Sequence, residues 1–336
     1  MFPASGNNIA INQNINSRMK SKPLLIFVLF LFASMTQAIA CSMFKITKDG
    51  KTLVGNNEDY SNSNTRMWFE KADTGKFGAV YVGFDDFFPQ GGMNEVGLVF
   101  DGFSMNSLAV TDTVGKATIA PGKDFSSFGK KILQTCSNVT EVRDVFLKYN
   151  LKMFQTALLL FVDKSGDYLV VEGDSLIVGN SPTYIQSNFY PSLTKKEDDV
   201  KIGFYQKGRQ YLNQNSATTS LSYCTNVMNA MHQDSSNGGI NRTVYTTIYD
   251  LQEMTISLYY QADFQTPIKF DLKDELTKEN RQINIPELFP NYKKADILKT
   301  QFSLTQLAGD YEEKPGFVCT LSIKNDSLIV FQNWNK

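Results

Sequence analysis

The feature that most constrains this chain is a cysteine placed directly behind an export leader. Arg18, Lys20 and Lys22 precede an unbroken apolar run from Leu24 to Ala33, and Ala38-Ile39-Ala40 sets small residues at the two positions a signal peptidase reads. A spanning helix needs about 20 apolar residues. A run of ten therefore suits a signal segment and not a membrane anchor. Met19 is the better start, because the residues before it carry no periodic pattern. Residues 1–40 are read as a removable leader, and the fold begins at Cys41.

Cleavage there leaves 296 residues in which 30 basic face 34 acidic side chains. A mildly acidic chain without blocks of like charge is not built to hold nucleic acid. The single histidine, His232, excludes a multi-histidine metal site and leaves any Ser-His or Cys-His pair dependent on one residue near a helix end. Cys41, Cys136, Cys224 and Cys319 show no CxxC spacing, which speaks against zinc. With Cys41 set aside the rest are read as buried thiols, a Cys136–Cys224 bridge remaining open in an exported chain. No cofactor and no metal is expected.

Along the chain the pattern is mixed. Ser42–Thr47 and Thr52–Gly55 flank Lys48-Asp49-Gly50-Lys51, a hairpin signal. Strands are predicted at Met67–Glu70, Gly78–Phe84 and Val96–Phe103, with Asn94 and Glu95 shaping a turn. Asn138-Val139-Thr140-Glu141 resembles a capping box, after which Val142, Val145, Phe146 and Tyr149 share a helical face. A hairpin follows over Thr156–Val162 and Tyr168–Glu172. Arg209–Leu212 and Leu221–Met231 read as helical, and Val244–Tyr249 with Thr255–Tyr260 as another hairpin. This succession indicates α+β layers. The main domain is placed at 41–287. Residues 288–336 are a linker and a terminal β-hairpin in which Ile323 would pair with Leu328 and Leu321 with Val330.

An amino-terminal cysteine is a self-contained catalytic unit: the thiolate attacks, and its own α-amine, with a reference pKa of about 7.7–8.0, can take the thiol proton. Here the residues resemble a known family. Cys41-Ser42-Met43-Phe44 followed by Gly55-Asn56-Asn57-Glu58-Asp59-Tyr60 is similar to the opening of the choloylglycine hydrolase and penicillin V acylase family, and of the related acyl-CoA:6-aminopenicillanic acid acyltransferase group. Gly92-Met93-Asn94-Glu95-Val96-Gly97-Leu98, Val170-Val171-Glu172, Asn180-Ser181-Pro182-Thr183-Tyr184, Arg209-Gln210-Tyr211, Tyr245–Asp250 and Leu258–Tyr260 continue the likeness in order, over roughly Cys41 to Leu272.

The resemblance implies a four-layer αββα sandwich of the N-terminal-nucleophile type, here with a short C-terminal hairpin extension. It implies an exported, periplasmic or secreted hydrolase of linear, non-peptide amide C–N bonds, acting on a small N-acyl compound. A homo-oligomer is left open. It also implies roles. Cys41 attacks the carbonyl, and Asp59 holds its α-amine or thiol. Asn180 donates to the oxyanion with the backbone N–H of Ser104, and Arg209 favours the thiolate. Asn188 rivals Asn180; the proline two residues after Asn180 favours the latter. Asn56 departs from the family, which has an arginine there, and Arg66 is the nearest substitute in sequence. Two other readings stay open: an acyltransferase of the same fold, and a lipoprotein acylated at Cys41 that serves as a binding module.

Overall fold

The computed structural model describes residues 41–111, 115–118, 123–234, 242–289, 309–314, 317–324 and 327–334. The leader and most of the linker lie outside the described residues. β1 (Ser42–Lys48) and β2 (Lys51–Tyr60) are joined through Asp49 and Gly50, both at positive φ, 54° and 74°. That is the backbone twist a two-residue type I′ hairpin requires, and Asp-Gly tolerates it.

An eight-stranded sheet uses β3 (Thr65–Glu70), β4 (Ala79–Phe84), β5 (Pro89–Asn94), β6 (Val99–Ser104), β9 (Ala157–Val162), β10 (Tyr168–Glu172), β11 (Ser175–Gly179) and β16 (Arg281–Asn284). Its order is β11-β10-β9-β6-β5-β4-β3-β16. A six-stranded sheet sets β12 (Thr183–Gln186), β1, β2, β13 (Arg242–Asp250), β14 (Thr255–Tyr260) and β15 (Asp263–Asp271) side by side in that order. The pairings in both sheets are antiparallel, and β7 (Ala117–Thr118) with β8 (Tyr149–Asn150) adds a short parallel pair.

Three cores show how the layers stack. Met43, Val54, Val80, Val82, Leu160 and Tyr245 belong to the apolar layer between the sheets. Phe100, Phe161 and Leu169 face helices α1 (Lys123–Thr135) and α2 (Val139–Phe146), which supply Ile132, Leu133, Val142 and Phe146. Phe44, Leu53 and Ile248 face α3 (Gly203–Gln214) and α4 (Leu221–Met231), through Tyr205, Val227 and Met228. The strand period of two drives this division. On β1, Cys41 and Met43 turn to the inter-sheet layer and Phe44 and Ile46 to the helices. The architecture is the αββα sandwich.

Several sequence expectations recur as built elements. Asn138 caps α2 by accepting from the Glu141 N–H at 3.0 Å. Asn94 organises a turn, its Nδ2 donating to the carbonyls of Leu133 and Cys136 at 2.8 Å and its Oδ1 accepting from the Leu98 N–H. The predicted strand at Val96–Phe103 begins only at Val99, after that turn. β5 was not anticipated, because Pro-Gln-Gly-Gly reads as loop. Its glycines are there for clearance: a Cβ on Gly92 would lie 2.4 Å from the Val80 carbonyl oxygen on β4. Cys136 and Cys224 are free and buried in different cores, so they form no bridge.

At the C-terminus β17 (Gly309–Lys314), β18 (Phe317–Lys324) and β19 (Ser327–Trp334) form an antiparallel sheet of their own. Its register pairs Ile323 with Leu328 and Leu321 with Val330, as the two-residue connection dictates.

Gly92→Ala should destabilise the body by about 1–3 kcal/mol, since the clash is with backbone and cannot be relieved by a rotamer. Gly203→Ala, where a Cβ meets nothing within 4 Å, should be neutral or slightly stabilising. Urea midpoints of the two variants against the parent measure the difference.

Candidate active site

Cys41 stands one residue before β1, between two neighbouring strands. β1 and β2 pair Ser42 with Asn57, so the next step sets Cys41 opposite Glu58. β1 and β12 pair Met43 with Gln186, and two further steps set Cys41 opposite Asn188. β2 and β13 pair Glu58 with Tyr245. One row therefore runs Asn188, Cys41, Glu58, Tyr245 across the six-stranded sheet.

The row is bonded. The Cys41 thiol contacts Glu58 Oε1 at 3.5 Å, and the Tyr245 hydroxyl donates to Glu58 Oε2 at 3.4 Å. Cys41, Glu58 and Tyr245 are fully buried. The Ser187 hydroxyl donates to the Cys41 carbonyl at 3.0 Å, and Asn188 Nδ2 to the Ser104 carbonyl at 2.8 Å. Asn188 thus bridges the six-stranded sheet to the end of β6. Asp101, also on β6, lies close enough to act electrostatically on Cys41, Glu58 and Tyr245.

The electrostatics are those of an acid-rich, dry site. Burial pushes the Cys41 thiol well above its ordinary value, and the carboxylates of Glu58, Asp101 and Asp59 push it further; a hydrogen bond from the Asp59 backbone N–H opposes them. Burial raises Glu58 to about 7, against hydrogen bonds from Cys41 and Tyr245 that lower it. Asp59 and Asp101 are raised well above the carboxylate range, again chiefly by burial. Among the described residues no lysine or arginine is hydrogen-bonded or ion-paired to Cys41, Glu58 or Asp101. Asn56, on the same inward face of β2, is buried with both side-chain amide atoms unpartnered. Among the described residues no group of three or more acidic, cysteine or histidine side chains could hold a metal ion.

The five residues singled out in the sequence are not all brought together. Asp59 follows Glu58, so its side chain takes the other face of β2, where Thr243 Oγ1 and Gln233 Nε2 donate to it, the latter at 2.8 Å. Its link to Cys41 is through its backbone N–H. Ser104 is tied to the Cys41 row through Asn188. Asn180 is exposed just past β11. The β1–β12 register carries it opposite the far end of β1, eight residues from the level of Cys41, roughly 25 Å at strand rise. Arg209 is on α3, outside the six-stranded sheet, and pairs with Glu197 at 3.0 Å and Asp198 at 2.7 Å. Arg66 donates to Asn284 at 2.6 Å along β16. His232 caps α4, bonded to the Asn229 carbonyl.

The place of Glu58 beside Cys41 is legible in the sequence. The Asp-Gly turn pairs Lys48 with Lys51, and counting back along both strands reaches Cys41 and Glu58. Asp101 carries no such local signal, and the choice between Asn188 and Asn180 has none either, since both depend on long-range pairing.

Beside this row lies a cleft of about 870 Å³ whose walls include Tyr60, Phe84, Phe100, Phe103 and Phe128. Ser104 is part of that wall and Cys41 is not. The cleft reaches the neighbours of Cys41, and the thiol itself is buried.

Glu58 binds its proton more tightly folded than unfolded, so its contribution to stability is complete below about pH 4.5 and is lost as pH rises through about 7. Glu58→Gln should therefore melt close to the parent at pH 4.5 and progressively above it toward pH 8, by an increment on the order of 2 kcal/mol. Calorimetry of both proteins across that range reads the sign. An increment independent of pH would contradict the assignment.

No protein-family model matches the chain, and no curated protein does. Solved structures do. The conjugated bile acid hydrolase from Clostridium perfringens superposes with a TM-score of 0.58 at 17% identity, over 78% of this chain and 100% of that one. Another variant of it gives 0.54 at 18%, over 78% and 99%. Penicillin V acylase from Agrobacterium tumefaciens gives 0.53 at 16%, over 73% and 91%. These are the two kinds of enzyme named by the family that the sequence resembles, and the chain has their N-terminal-nucleophile hydrolase fold.

Proposed function

We propose that this chain, exported and cut before Cys41, is an amidohydrolase that cleaves a linear, non-peptide amide of a small N-acyl compound. The observation that carries the reading is the position of Cys41: a buried thiol at the head of β1, contacted by a carboxylate and a backbone N–H, in the fold of two amide hydrolases. The motifs shared with the choloylglycine hydrolase and penicillin V acylase family support placing it in that family.

In this reading the Cys41 sulfur adds to the amide carbonyl, the amine leaves, and water hydrolyses the thioester. The developing oxyanion needs donors already in position, each worth roughly 3–4 kcal/mol of barrier. The backbone N–H of Ser104 is one, as the family resemblance implies. Asn188 replaces Asn180 as the other, because it is level with Cys41. Arg209 is given no part in activating the thiol, since its charge is spent on Glu197 and Asp198. The aromatic cleft beside Ser104 receives the acyl group, as apolar walls with few polar groups do for small ligands.

Removal of the leader matters for charge. A free α-amine places a cation within three bonds of the thiol, in a site that otherwise holds only acids. A chain retaining residues before Cys41 should therefore be inactive.

The test is expression with the leader, recovery of the exported protein, its intact mass, and hydrolysis of a panel of N-acyl amides with aromatic and aliphatic acyl groups. The expected mass begins at Cys41 with no adduct, and Cys41→Ala should lose activity by about 1,000-fold or more. His232→Ala should stay within about twofold of the parent, as expected for a side chain remote from the reacting atoms. A lipid adduct on Cys41, or full activity in a precursor that retains Ala40, would overturn the proposal.

A further inference from the structure

We propose that Tyr190 is a positioning residue for the oxyanion site: its hydroxyl ties the chain leaving β6 to the chain leaving β12, and so holds the Ser104 N–H and the Asn188 amide at one point. The inference rests on the amidohydrolase reading above and deepens it by naming what keeps the two donors in place.

The register of β6 shows which way the Ser104 N–H points. Ser104 is level with Ala157 on β9, and the next residue, Met105, donates to the Thr156 carbonyl at 2.9 Å. Backbone groups of successive residues in an antiparallel strand face alternate sides. The N–H and carbonyl of Ser104 are therefore turned away from β9. On that side the pairing of β6 with β5 stops at Asp101, three residues earlier. Asn188 Nδ2 reaches the Ser104 carbonyl there at 2.8 Å. The Asn188 amide and the Ser104 N–H thus meet on one side of one residue, as two donors to a single oxygen must. Ser104 is exposed and forms part of the cleft wall, within reach of a substrate carbonyl.

Strand pairing alone does not hold this arrangement. Ser104 is the last residue of β6, and Asn188 lies two residues past the end of β12. The Tyr190 hydroxyl donates to the Asn106 carbonyl at 2.7 Å, with the Gln155 carbonyl at 3.1 Å. Asn188 on Ser104 and Tyr190 on Asn106 are matched ties, each two residues on from the other along both chains. Together they fix the register of one chain on the other. The Tyr190 ring is packed in the core between the sheets, so the hydroxyl is delivered from a fixed body. The segment is also anchored at both ends. Ser187 donates to the Cys41 carbonyl at 3.0 Å, and the Ser192 N–H donates to the buried Glu172 at 2.8 Å. Glu172 closes the Val170-Val171-Glu172 segment of β10, so this contact joins the oxyanion segment to the other sheet.

The test uses Tyr190→Phe, Asn188→Ala and the double variant in the processed protein. Tyr190→Phe keeps the packed ring and removes only the hydroxyl. Asn106 and Gln155 are exposed, so water takes up their carbonyls and the fold survives. We expect kcat to fall about 10-fold or more with KM within about threefold, because a displaced donor is lost chiefly to the transition state. Alkylation of Cys41 by iodoacetamide forms no oxyanion and should stay within about twofold of the parent. In the Asn188→Ala background the same change should cost less than about threefold, since the donor it serves is already gone. A tyrosine that served stability alone would lower the urea midpoint and leave these ratios where they were.

Turnover in Tyr190→Phe within twofold of the parent, or an equal loss with and without Asn188, overturns the proposal. Amide hydrogen exchange gives a readout independent of turnover: exchange in Tyr190→Phe should quicken at Ser104–Asn106 and keep parent rates in β1 and β2. A parent that hydrolyses no amide refutes the amidohydrolase reading. The exchange pattern then decides alone whether Tyr190 holds the segment, and parent rates at Ser104–Asn106 overturn it.

Discussion

The position of β1 between β2 and β12 is the constraint on which the rest of this molecule depends. A strand paired on both sides cannot slip by one residue without turning its inward set outward. The Asp49–Gly50 turn fixes its register against β2, and the pairs from Ile46–Thr183 to Met43–Gln186 fix it against β12. Together they determine which residues stand level with Cys41: Glu58, whose carboxylate meets the sulfur, from one neighbour and Asn188 from the other. The helical layers then matter to the chemistry indirectly, by burying Phe44, Ile46 and Leu53 on the opposite face and so holding the strand in place.

The site runs against folding stability. Carboxyl groups on Glu58, Asp59 and Asp101 are taken out of water, close enough to act electrostatically on one thiol, and among the described residues no cationic side chain compensates them. Buried acids without a cation cost folding free energy whenever they ionise. Such an arrangement persists where the perturbed proton affinity is itself of use. Asn56, with neither amide atom satisfied, belongs to the same pattern, since an unpaired buried amide is also a cost.

The sequence was most legible where structure is local. The Asp-Gly turn, the Asn138 cap, the Asn94 turn and the register of the C-terminal hairpin each depend on residues within a few positions of one another. β5 escaped because its glycines exist for a neighbour's backbone, a requirement that no local pattern expresses. A segment likeness favours Asn180 over Asn188, yet distance along a strand decides which of them stands level with Cys41, and that distance follows from pairing between strands remote in sequence. Arg209 was read through its helix start, which says nothing of the face of the sheet on which the helix lies. Glu58 was within reach of a count along the first hairpin.

Lys45 gives the two sheets a fastening whose location has a consequence. Its ammonium is buried, donates to the Gly166 carbonyl at 2.6 Å at the β9–β10 turn of the other sheet, and is lowered to about 8 by burial. At the same place a Cβ on Gly166 would overlap Thr47 Oγ1 at 2.0 Å, so the layers touch there with no room to spare. Cys41 lies four residues away along the same strand, next to the cleft wall formed by Ser104. The layers are thus tied at two levels of one strand, by Lys45 toward its far end and by the Asn188–Ser104 bond beside Cys41, so the sulfur sits next to a fastening and not at a free edge.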